Sequence, residues 1–198
     1  MTRANYPALA TSSVAAGGCF VSTSLTPPPV RLDSPALQVM TDLTRIPAAS
    51  IPADALVAEA NQSMIYRGVR MLFVVDEAKQ LLGIVTASDV LGERPLQAAQ
   101  NHGLARHELR VAHIMTPLAR IDSIDLSMVT RAEVGHVVAT LKACGRQHAI
   151  VVDRDAHGRQ VVCGVFSATQ IARQLGMPLP TGETARTFAE IEAAIANF

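Results

Sequence analysis

The chain has no tryptophan, and its few Phe and Tyr bring the aromatic content to only 4%. Proteins that bind single strands by stacking bases on aromatic side chains need more than this. Neither sign of charge is in excess: Lys+Arg and Asp+Glu number 17 each, for a net charge of zero over 198 residues. A broad basic face for nucleic acid or an anionic membrane is therefore excluded, and neither partner is expected. The cysteines Cys19, Cys144 and Cys163 are odd in number and lack CxxC spacing. They support neither a disulfide framework nor a zinc site, and Cys144 and Cys163, inside apolar patterns, are expected to be buried thiols. No metal site is expected from the histidines, because His102, His107 and His113 stand five and six residues apart, which puts no pair on one helical face. Apolar runs are broken by Gly, Asp or His well short of the ~18 residues needed to cross a bilayer. A cytoplasmic location is the expectation. A Gly-rich phosphate loop, a Ser-His-Asp order and paired catalytic carboxylates are all missing, so the chain is not read as an enzyme.

What is present is a large aliphatic fraction, with 49% hydrophobic residues, enough for a core of Ala, Val, Leu and Ile. The first 35 residues do not belong to it. ALATSSVAAGGCF, with Arg3 upstream, has the outline of a secretory or lipoprotein signal, but Asn5, Pro7 and several hydroxyls interrupt the apolar stretch such a signal requires. With STSLTPPPVR after it, the segment reads as a flexible or extended tail.

Beyond the tail the chain repeats itself. VMTDL at 39–43 matches IMTPL at 114–118, GVRMLFVVD at 68–76 matches GRQHAIVVD at 145–153, and GIVTASD at 83–89 matches GVFSATQ at 164–170. The offset grows from 75 to 77 to 81, the last step lying between VVD and the next Gly. Growth at that point suits a turn between strands. Each copy opens on a proline-marked extended piece. A helix follows, marked by Leu56, Ala60 and Met64 in the first copy and by Val134, Val137, Val138 and Leu141 in the second, with Gly68 and Gly145 closing. Thr130 and Glu133 predict a capping box for the second of these helices. Two β-rich runs joined by a polar turn then predict a hairpin, and a further helix starts at the repeated motif.

Two copies of MT, a helix, a V-V-D strand and a G-h-h-T-x-x-D turn, in that order, resemble the cystathionine β-synthase (CBS) domain in its tandem arrangement, the Bateman module, over about residues 36–178. The resemblance implies an α+β fold of two βαββα repeats related by a pseudo-two-fold and packed through their small sheets. It divides the chain into a tail (1–35), repeat 1 (36–93), a bridge (94–109), repeat 2 (110–178) and a C-terminal helix (179–198). The pair leaves no room for an attached effector domain, so a stand-alone module is expected. The family implies a regulatory sensor that requires no cofactor and binds an adenosine-type ligand (AMP, ADP, ATP or S-adenosylmethionine) between the repeats. It also implies a homodimer formed through the helices, reporting to a protein partner that the sequence does not identify. In TARTFAEIEAAIANF, Phe188, Ile191, Ile195 and Phe198 recur at helical spacing and form an apolar stripe that needs a cover.

The last letter of the repeated motif differs, Asp89 in the first copy and Gln170 in the second. As local structure, Thr86 with Asp89 and Ser167 with Gln170 are both capping boxes, each worth ~1 kcal/mol. As a binding site the two differ, because a carboxylate accepts both hydroxyls of a vicinal diol and an amide offers one neutral acceptor, while a helix N-terminus favours phosphate. The resemblance implies that Asp89 holds a ribose and Thr86 the phosphate side. It places adenine against Val69, Arg70 and Met71 with Ala49, Ser50 and Ile51 in a first site. The matching residues of a weaker second site are Ser123, Arg146, Gln147 and His148, with Ser167 and Gln170; His148 pairs with a phosphate when protonated. Val69 and Met71 are equally suited to plain core. The rival function is an interaction or dimerisation module that binds no nucleotide, its T-x-x-D and S-x-x-Q turns serving only as caps.

Overall fold

The computed structural model describes residues 9–11 and 29–176. Most of the expected tail, with Cys19, and all of the expected C-terminal helix, with its apolar stripe, lie outside the described residues.

In chain order the first copy comprises β1 (Thr41–Asp42), β2 (Ser50–Pro52), α1 (Val57–Arg67), β3 (Met71–Val75), β4 (Leu81–Thr86) and α2 (Ala87–Leu91). Helix α3 (Arg94–His102) runs between the copies, and α4 (Val111–Ile114) opens the second. The second copy comprises β5 (Thr116–Pro117), β6 (Ser123–Asp125), α5 (Leu126–Val129), α6 (Val134–Ala143), β7 (His148–Arg154), β8 (Gln160–Ser167) and α7 (Ala168–Gln174).

Local sequence explains most of these elements. Helix α1 buries Val57, Ala60 and Met64, and its entry is held by Glu59, whose Oε2 accepts the Leu56 amide at 2.7 Å. It ends at Gly68 in the left-handed region, φ 64°. Helix α6 buries Val134, Val137, Val138 and Leu141, and Gly145 turns the chain at φ 60°. The expected Thr130–Glu133 box does not form. Thr130 caps the C-terminus of α5 and its hydroxyl donates to the Ser127 carbonyl, so α6 starts three residues later with Glu133 at its N-cap and His136 Nδ1 accepting the Glu133 amide at 3.1 Å.

The hairpins are antiparallel, β3 against β4 and β7 against β8, while β2 and β6 lie parallel to β3 and β7 with a helix as crossover. Each sheet has four strands, and the fourth is exchanged. β1, from the first copy, pairs with β8 of the second, and β5, from the second, pairs with β4 of the first. The MT segments are thus straps that tie each copy to the sheet of the other, a connection that repetition in the sequence does not show.

Strand β3 is buried along its whole length, with alternate residues facing different layers. Leu72 and Val74 pack under α1 with Val85 and Val90; Met71, Phe73 and Val75 meet Ile84, Ile150 and Val165 between the sheets. Strand β7 alternates likewise, Val151 facing the helices of its own copy and Ile150 the intersheet layer. The layers are therefore helices, sheet, sheet and helices, with the sheets face to face. Each such fully buried aliphatic side chain contributes ~1.5–3 kcal/mol.

Candidate functional site

Sheet-on-sheet packing brings the start of α2 in the first copy opposite the turn before β7 in the second. Between them is a cleft of about 400 Å3, whose walls include Arg70, Thr86 and Asp89 from one copy and Arg146, Gln147 and His148 from the other. Residues assigned by sequence to two sites thus stand around one. Ala49, Ile51 and Val69 pack in the core beneath α1, and Met71 lies between the sheets. Ser50 lies in β2 paired with Phe73, and Ser123 is exposed on β6. Ser167 and Gln170 belong to the other turn.

At the first turn the expected capping box is present and doubled. Thr86 donates its amide (2.8 Å) and its hydroxyl (2.7 Å) to Asp89 Oδ2, while its Oγ1 accepts the Asp89 amide at 3.3 Å. The other carboxylate oxygen, Oδ1, lies 2.9 Å from Arg94 Nη1. Asp89 is the one buried charged residue among the described residues, at 9% exposure, and this set of partners is what makes its burial tolerable. The Ala87 amide is taken by the Arg70 carbonyl at 2.9 Å. The start of α2 is therefore largely occupied by the chain itself, and attraction for an anion rests on side chains instead.

Those side chains are arginines. Arg70, Arg94, Arg120 and Arg146 line the cleft against the single carboxylate of Asp89. Arg146 Nη2 is held by the Arg120 carbonyl at 2.8 Å and lies 3.9 Å from Asp122. Arg94 also donates to the Ile114 carbonyl at 3.0 Å and to Thr116 Oγ1 at 3.1 Å. His148 is desolvated and faces Arg70, which together lower its pKa to about 4. At neutral pH it is an uncharged donor or acceptor in the cleft wall, contrary to the charged role the sequence suggested for it.

The second turn differs. Ser167 makes no side-chain cap, and Gln170 Oε1 instead accepts the Thr41 hydroxyl at 3.2 Å, from the exchanged strand β1. The S-x-x-Q box is thus replaced by a contact between copies. Cys163 is buried as expected, but Cys144, at the end of α6, is exposed and lines the cleft. His102 and His113, separated on the spacing argument, have ring centroids 4.8 Å apart because α3 and α4 pack against each other. Among the described residues no three His, Cys, Asp or Glu side chains gather as a metal site, and no helix is long and apolar enough to cross a membrane.

Sequence reasoning missed Arg94, Thr116 and Arg120. Thr116 belongs to the repeated MT pair, which was a usable signal; Arg94 and Arg120 stand in no repeated motif.

Comparison with known proteins agrees with this architecture. Residues 36–95 match the family described as CBS domain. An uncharacterised conserved protein of Pyrococcus horikoshii aligns over 77% of this chain and 100% of its own, with TM-score 0.53 and 18% identity. CBSX2, a CBS-pair protein of Arabidopsis thaliana, solved in complex with AMP, aligns over 71% of this chain and 94% of its own, with TM-score 0.51 and 19% identity. A conserved CBS domain protein of Thermoplasma acidophilum aligns over 79% and 77%, with TM-score 0.50 and 18% identity. None of the curated proteins matches the chain. The family match covers the first copy, and the described chain as a whole shares the fold of these solved CBS-domain proteins.

Proposed function

We propose that the cleft binds an adenosine-type ligand and that the chain is a regulatory sensor rather than a catalyst, its repeats being residues 36–93 and 110–178. The observation that carries this is the convergence of Thr86, Asp89 and Arg70 with Arg146, Gln147 and His148 on one cleft between the copies. Its volume of about 400 Å3 falls within the ~300–1,000 Å3 of small-molecule sites. The likeness to CBSX2, solved with AMP, supports the ligand class. In this reading Asp89 receives the ribose diol, the arginines receive phosphate, and closure of the ligand between copies alters a surface read by a protein partner. A homodimer in the cytoplasm is the setting we propose.

One observation favours the rival, an interaction module without nucleotide: both Asp89 oxygens already have partners within the chain. Calorimetric titration of ligand-stripped protein with AMP, ADP, ATP and S-adenosylmethionine decides between them. Saturable binding of at least one, at one ligand per chain, is expected. The absence of heat with all four at millimolar concentration would leave the interaction module.

A further inference from the structure

The cleft does not end at Thr116. A groove of about 240 Å3 adjoins it, shares Arg94, Thr116 and Arg120 with it, and continues past Asn101, His102 and His113. None of the described residues lining this groove is acidic. Arg120 has no ion pair among the described residues, and Arg94 spends one nitrogen on Asp89 at the junction of the two cavities. The groove thus presents guanidinium, imidazole and amide groups beside the cleft, and no carboxylate to balance the arginines.

We propose that this groove seats the outer phosphates of an adenosine polyphosphate, so that the ligand is a nucleoside di- or triphosphate rather than a monophosphate or S-adenosylmethionine. The proposal rests on the adenosine reading of the cleft. Guanidinium groups bind phosphate oxygens in pairs of charge-assisted hydrogen bonds, and two further phosphates add negative charge where Arg94 and Arg120 lie. The sulfonium and ammonium of S-adenosylmethionine would instead face four arginines across a partly desolvated cleft, a repulsion that grows as water is displaced. Arg94 joins the two halves of the ligand in this scheme, touching the carboxylate on the ribose side and the groove on the phosphate side.

The test is calorimetry on the full chain with AMP, ADP, ATP, S-adenosylmethionine and inorganic tripolyphosphate. Asn101→Asp with His102→Glu puts two carboxylates in the groove at exposed positions near the end of α3, outside the cleft; Arg120→Ala is the second variant, and circular dichroism checks that both fold. Affinity should rise about tenfold or more from AMP to ATP, the equivalent of one charge-assisted hydrogen bond. The double variant should remove that gain while leaving AMP affinity within about twofold, and tripolyphosphate should compete with ATP. Equal AMP and ATP affinities, tighter binding of S-adenosylmethionine than of ATP, or equal losses for AMP and ATP in the double variant would overturn the groove and leave the adenosine reading intact. Binding of tripolyphosphate with no binding of any adenosine compound would uphold the anion groove and overturn the adenosine reading.

Discussion

The hydroxyl of Thr41 donates to the side-chain carbonyl of Gln170 at 3.2 Å, joining residues 129 positions apart. Thr116 occupies the corresponding place at the first turn, and there Arg94 is inserted, bonded to Thr116 on one side and Asp89 on the other. A neutral amide can meet a hydroxyl directly and close the turn with the chain's own atoms. A carboxylate at 9% exposure requires a cation, and the arginine that answers it opens onto the cleft. The change from Asp to Gln between the two copies therefore separates a buried turn paired with an arginine of the cleft from an exposed turn tied to a strap.

Gln170→Asp should convert the second turn toward the first. The shorter carboxylate releases Thr41 and accepts the Ser167 amide, as Asp89 accepts that of Thr86. Losing one hydrogen bond and gaining a cap, each ~1 kcal/mol, nearly cancel, so stability should stay within about 1 kcal/mol of the parent. Calorimetry with the ligand that fills the first cleft should show a second, weaker event. A single event with unchanged affinity would show that the carboxylate alone does not make a site there.

Asp89→Asn should weaken adenosine-ligand binding at least tenfold, the loss of ~1.5–3 kcal/mol from a charged acceptor. It also removes half of the cap and the Arg94 pair. With Arg94 half exposed that pair is worth ~1 kcal/mol at most, for a total of roughly 1–2 kcal/mol and a Tm lower by a few degrees. Arg94→Ala keeps the cap and should cost less stability. Unchanged affinity in Asp89→Asn would reduce the motif to a helix cap.

The hairpins, the main helices and the Thr86 cap were legible in the sequence because each depends on neighbours a few residues away. MLFVV and HAIVV alternate between two layers, and Gly68 and Gly145 stop their helices. The site was legible only in part. Arg70 and His148 could be named from the repeat, but their meeting across the cleft depends on sheet packing. Arg94, on α3, and Arg120, after β5, stand in no repeated motif, and Thr116, though in one, reaches the cleft only through the exchanged strand β5. The Thr130 box failed because its hydroxyl found the Ser127 carbonyl first, a local competition open to any Ser or Thr.

His148 should titrate near pH 4 in the ligand-free chain, measured from its ring protons by NMR. The unfolded imidazole titrates near 6.5, so as pH falls from 6.5 to 4 the unfolded state takes up the proton first and stability declines; above 6.5 the residue has no effect. His148→Gln should flatten that decline. Burial is the larger cause and Arg70 the smaller, so Arg70→Ala should raise the pKa only part of the way. A value near 6.5 in the parent protein would mean that water solvates the ring.

The repeated glycines supply the sharpest test of the strand exchange. Gly83 pairs with Pro117 of β5, and Gly164 with Asp42 of β1, each where a strap from the other copy crosses. A Cβ at Gly83 would fall under 3.0 Å from the Thr116 carbonyl oxygen, a backbone atom; at Gly164 it would meet the Met40 side chain at similar range. Backbone held in a ladder cannot yield, whereas a methionine can change rotamer. Gly83→Ala should therefore cost ~1–3 kcal/mol, as overpacking does, and Gly164→Ala less. Adding Met40→Ala to Gly164→Ala should cost less than the two changes summed, because the first removes the clash the second creates. Denaturant unfolding of the four variants measures all of this. If Gly164→Ala proves the worse of the two glycine changes, or if Met40→Ala brings no relief, the straps do not cross where the glycines stand.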